Sequence, residues 1–144
     1  MDKQGNQKNG GRRLAREEAF KLLFQSSMHK DNIDELFDYA LEENPQLEKS
    51  MEYIRSVVLG TIEKKDEIDG IISNNLHGGW KLSRVSKVPF YILELAVFEM
   101  KYVDDVPEKV AINEAVELAK KYSDKENTVF VNGVLSGVFK QLNV

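Results

Sequence analysis

Apolar residues recur along most of this chain at intervals of three and four, the spacing that lines one face of an α-helix. No stretch alternates apolar and polar residues long enough to make a strand. From about Arg12 to His29, Ala15, Ala19, Leu22 and Leu23 share a face and predict a first helix. Asp31 or Asn32 can cap a second, which carries Ile33, Leu36, Phe37, Ala40 and Leu41. Asn44-Pro45 is a cap with proline at the first helical position, and Leu47, Met51, Ile54 and Val58 form the stripe of a third helix. A fourth begins near Lys65, carries Ile68, Ile71, Ile72 and Leu76, and stops at Gly78-Gly79.

Trp80 to Ser86 reads as a connector. The fifth helix, about Lys87 to Tyr102, is the most apolar and is expected to be the most buried, with Pro89 tolerated only in its first turn. Asp104-Asp105 and Pro107 form a turn. The sixth helix covers about Glu108 to Tyr122. Ser123-x-x-Glu126 reads as a capping box that opens the last helix. That helix is expected to bury Val131, Val134, Leu135, Val138 and Leu142. Gly133 and Gly137 stand four apart in it and allow close approach to a neighbour, at about 1 kcal/mol each relative to alanine.

The polar, glycine-bearing residues 1–11 are expected to be a flexible arm, and 12–144 a single helical domain. The length of 144 residues suits one domain with its own core, and 42% apolar with 31% charged residues is a globular composition. The absence of cysteine excludes disulfides and thiolate metal sites and suits a reducing cytoplasm. No apolar run approaches the ~20 residues that cross a bilayer, so no membrane partner is expected. Met1 to Arg16 lacks the apolar core of a secretory signal.

The net charge of −4 is unevenly spread. Residues 1–30 carry seven basic and three acidic side chains, and the other 114 carry 13 and 21. A basic end suits a polyanion and an acidic body suits a basic protein, although a solvated tail on an acidic surface fits the same charges.

Candidate chemistry is sparse. The only histidines, His29 and His77, have no second metal-type ligand at helical spacing, so no metal is expected. No glycine-rich phosphate loop is visible, nothing marks a nucleophile, and Asp104-Asp105 is a turn former. No cofactor and no catalysis are expected. The basic end says more. Arg12, Arg13 and Arg16 open the first helix, and Arg13, Phe20 and Phe24 fall in one sector, roughly opposite Ala15 and Leu22. Arginines contact phosphates, and an exposed ring can stack an unpaired base. Phe20 and Phe24 equally suit a core position against a second helix, and Phe130 in the last helix has the same two readings. Cations at a helix start also oppose the helix dipole, a cost that Glu17 and Glu18 partly offset and an anion would relieve.

The run from Val106 to Tyr122 (VPEKVAINEAVELAKKY), followed by Phe130 to Leu135 (FVNGVL), closely resembles the C-terminal signature of the NusB family of transcription antitermination factors. The helix from Arg12 to Phe24 resembles that family's arginine-rich N-terminal helix. Trp80-x-Leu82-x-Arg84 and the run Leu95 to Glu99 also fit, so the likeness covers about Arg12 to Leu142. It implies an all-α, seven-helix fold of two small helical bundles packed together. It implies binding of single-stranded boxA-like RNA together with a small-subunit ribosomal protein, NusE, to promote read-through in ribosomal RNA transcription. Other Nus factors and RNA polymerase would be partners in that complex, and a homodimer covering the arginine patch is compatible with the family. By position, the RNA-binding residues would be Arg12, Arg13, Arg16, Phe24 and Phe130. Asn113 and Asn132 lie in the signature and equally suit a structural role.

The chain departs from the family where Pro89-Phe90 and Glu94 stand in place of the usual Asp-Arg and of the arginine in Leu-Arg. A ribosomal RNA methyltransferase also carries a NusB-like domain, but no catalytic domain accompanies this one. The alternative function is a protein-binding helical adaptor without RNA specificity.

Overall fold

Each apolar stripe winds into a helix, and the helices gather into two compact units, 1–59 and 60–144. The computed structural model describes the backbone of residues 2–28 and 32–144, and side chains from residue 11 onward within them. Seven α-helices are present among the described residues: α1 (Asp2–Met28), α2 (Ile33–Glu43), α3 (Met51–Glu63), α4 (Lys65–Asn74), α5 (Lys87–Tyr102), α6 (Glu108–Tyr122) and α7 (Lys125–Leu142). There is no strand among them, in keeping with the all-α expectation.

In the first unit, α1 lies against α2 and a 3-10 turn at Pro45–Ser50. Ala15, Ala19, Phe20, Leu22 and Leu23 of α1 meet a core that includes Phe37, Leu47 and Ile54. Asn32 caps α2 by accepting the backbone N–H of Asp34 at 2.9 Å, while Asp31, the other candidate cap, lies outside the described residues. Asn44 accepts the N–H of Gln46 at 3.2 Å and opens the 3-10 turn ahead of α3. The third element therefore starts as a 3-10 turn, with Pro45 in place, before it becomes an α-helix at Met51. Helix α1 starts well before Arg12, so its backbone is helical through most of the segment expected as an arm.

In the second unit α5 is the axis. It touches α4, α6 and α7, and every residue from Ile92 to Met100 is buried. A helix with neighbours on several sides has no solvent face to keep polar. Two carboxylates, Glu94 and Glu99, are consequently buried in it. Lys65 of α4 reaches Glu94 at 3.1 Å and Asp69 at 3.0 Å. Burial pushes the Glu94 carboxyl up to about 8, the neighbouring Asp69 pushes the same way, and Lys65 opposes both. Burial lowers Lys65, but Asp69 and Glu94 outweigh it and hold the ammonium above its ordinary value. Asp69 Oδ1 is buried without a hydrogen-bond partner. A proton kept on Glu94 supplies the missing donor, because two buried carboxylates side by side cannot both ionise cheaply.

Two close approaches depend on glycine. A Cβ on Gly60 would run into the Phe98 ring, and one on Gly137 into the Asn75 side chain. Asn75 donates to Ile71 O at 2.9 Å and to Gln141 Oε1 at 2.8 Å, tying the end of α4 to α7. Gly137 thus fulfils the expected close approach, whereas a Cβ on Gly133 would meet nothing within 4 Å. The cap of α7 is Asp124 rather than Ser123. Its Oδ1 accepts the N–H of Asn127 at 2.8 Å, and Asn127 Nδ2 donates to Ser123 Oγ at 2.8 Å. Aspartate takes the cap because its carboxylate also complements the helix dipole.

Candidate nucleic-acid interface

The basic residues of α1 sit in mid-helix, since the helix begins at Asp2. The dipole acts only within the first turn, so the penalty expected for Arg12, Arg13 and Arg16 at a helix start does not apply. Their environments differ. Arg13 is exposed. Arg12 is half-buried, its guanidinium 4.2 Å from the centre of the Tyr53 ring on α3. Stacking on a ring fixes a long side chain while its N–H groups remain directed outward. Arg16 shares the side of Ala15 and Ala19 and is only 4% exposed. Periodicity ranks arginine as a surface residue and gives no sign of this burial.

One turn and two turns along, Phe20 and Phe24 place their ring centres 6.4 Å apart with planes at 56°. Phe20 is 3% exposed and belongs to the core, while Phe24 is half-buried with one side toward solvent. The face of α1 thus presents Arg12, Arg13 and part of the Phe24 ring. Burial pushes the nearby Glu18 carboxyl up; Lys21 pulls it down and Glu17 adds to the rise. Phe130 belongs to the second unit, on α7, half-buried between exposed Val129 and buried Val131. Asn113 and Asn132 are both exposed. Tyr53 is the residue that sequence reasoning missed: it lies off the stripe of α3, and only the fold brings it under Arg12.

Among the described residues no group of three or more His, Asp or Glu side chains is placed to hold a metal ion. Among them, too, no helix is long and apolar enough to cross a membrane.

The profile of the NusB family matches residues 13–140. A transcription antitermination protein NusB from Acetivibrio thermocellus is 49% identical over 130 residues, covering 90% of this chain and 89% of that protein. A crystal structure of the antitermination factors NusB and NusE in complex with double-stranded RNA includes a chain with TM-score 0.81 and 31% identity, covering 91% of this chain and 97% of that one. T. maritima NusB superposes with TM-score 0.80 at 34% identity, covering 90% and 91%. With its fold, its arginine-bearing first helix and a match along nearly its whole length, the chain belongs to the NusB family.

Proposed function

We propose that this protein is a transcription antitermination factor that binds boxA-type RNA together with the ribosomal protein NusE and promotes read-through in ribosomal RNA transcription. The observation that carries the reading is the face of α1, where exposed Arg13 and ring-stacked Arg12 lie beside the half-exposed Phe24. Arg12 and Arg13 neutralise phosphates, and Phe24 offers a surface for an unpaired base. Arg16, buried beneath them, adds positive field rather than a flexible contact. Phe130 contributes a second aromatic from α7. The solved NusB–NusE–RNA complex supports both partners by family membership. The protein acts in the cytoplasm, within a complex of other Nus factors and RNA polymerase, and catalyses no reaction itself. A homodimer that covers the arginine face would compete with RNA.

Titration of labelled boxA RNA, with and without NusE, tests this. Arg12→Ala combined with Arg13→Ala is expected to weaken binding at least about tenfold and to flatten the salt dependence by about 0.7 in log–log slope for each phosphate no longer neutralised. Unchanged binding by the double variant would refute the site. Failure of the unaltered protein to bind RNA in either condition would favour the protein-binding adaptor.

A further inference from the structure

The connector between α4 and α5 carries a feature that the α1 face does not use. From Gly70 to Leu93 the chain has no acidic residue, yet it places Lys81, Arg84 and Lys87 there, in a protein of net charge −4. All three are exposed, and none forms an ion pair with a described residue. Other lysines of this unit behave differently: Lys65, Lys101 and Lys120 each hold a carboxylate. Beside the unpaired cations stands Trp80, the only tryptophan, 58% exposed.

The backbone holds these groups in place. Gly78 and Gly79 have φ of 68° and 75°, a left-handed turn that side chains resist. Trp80 N–H donates to His77 O at 3.3 Å, and Arg84 N–H to Lys81 O at 2.9 Å within a 3-10 turn over Leu82–Arg84. The two turns set Trp80, Lys81 and Arg84 around one open depression of about 290 Å3, whose remaining walls are the two glycines. With no side chain at 78 or 79, the ring's near edge stays uncovered; a Cβ on Gly78 would come within 3.9 Å of Trp80 Cδ1.

We propose that this connector is a second contact surface for single-stranded RNA, in which Trp80 stacks one unpaired base and Lys81, Arg84 and Lys87 hold the flanking phosphates. Stacking needs a planar partner and unpaired cations need an anion, and a single-stranded nucleic acid supplies both along one strand. A basic protein is disfavoured by repulsion from the same three charges. The inference rests on the reading that the protein binds RNA, and it adds a site in the unit that does not contain α1.

Because Trp80 is the sole tryptophan, its fluorescence reports the contact directly. The full chain would be titrated with short single-stranded boxA RNA, following both the anisotropy of labelled RNA and the tryptophan emission. Binding is expected to quench Trp80 strongly. Trp80→Ala is expected to weaken binding about five- to tenfold, Trp80→Phe to restore it to within about twofold, and Lys81→Ala with Arg84→Ala to flatten the log–log salt slope by up to about 1.4. Circular dichroism of each variant reports folding, and Trp80 contributes nothing to the core. If RNA binds by anisotropy while the emission is unchanged and Trp80→Ala binds normally, the connector site is overturned and the α1 site stands. If the unaltered protein binds no RNA, both readings fall. Equal quenching by a duplex of the same sequence, or quenching by NusE alone with none by RNA, would also overturn it.

Discussion

Helices α1 and α5 are built from the same kind of stripe, yet they treat charge in opposite ways. In α1 the described side chains leave one side to solvent, and Arg13 is exposed there. In α5 the residues from Ile92 to Met100 have no solvent side, and Glu94 and Glu99 are enclosed with them. Charge in α1 remains available to a ligand and costs folding little. Charge in α5 is invisible to a ligand and is linked to folding itself.

That contrast can be broken or sharpened by experiment. The largest effect is expected from Leu93→Ala, at a fully buried α5 position, which should lower stability in urea unfolding by about 2–5 kcal/mol. A loss under about 1 kcal/mol would mean that α5 is not the packed axis. The next effect is a pH dependence. With Glu94 pushed up to about 8 from an ordinary 4.5, the folded state holds a proton that the unfolded chain has released between those values. Stability from this group is complete below about 4.5 and declines as pH rises toward 8, by up to about 1.4 kcal/mol per pH unit. Glu94→Gln keeps a donor toward Asp69 and should flatten the decline; an unchanged profile would assign it to other groups. The smallest effect belongs to α1. Arg13→Ala should change stability by no more than about 0.5 kcal/mol while still weakening RNA binding, a separation that no α5 substitution should reproduce.

Much of this architecture is legible in the residues alone. The bounds of α5 and α6 follow from Pro89, the Asp104-Asp105 turn and Pro107, because proline and turn residues punctuate a chain locally. The 3-10 turn at Pro45–Ser50 is not legible, since Leu47 suits either winding. The cap of α7 falls one residue beyond the Ser-x-x-Glu pattern because Ser123 and Asp124 both satisfy the local rule, and dipole and geometry choose between them. Within the candidate interface, the arginine positions are visible in sequence. The burial of Arg16 and the Tyr53 ring under Arg12 are not, because both depend on where a second element lands. Phe20 and Phe24 look alike on a helical wheel, and only tertiary packing makes one core and the other half-exposed.

The close approach of Gly137 to Asn75 has a consequence for how this chain can vary. A side chain at 137 would displace Asn75, and Asn75 ties Ile71 and Gln141 together. Neither position is therefore free to drift alone. A larger residue at 137 is tolerated only alongside a smaller one at 75, so the two sites, far apart in sequence, should change as a pair across descendants of this protein.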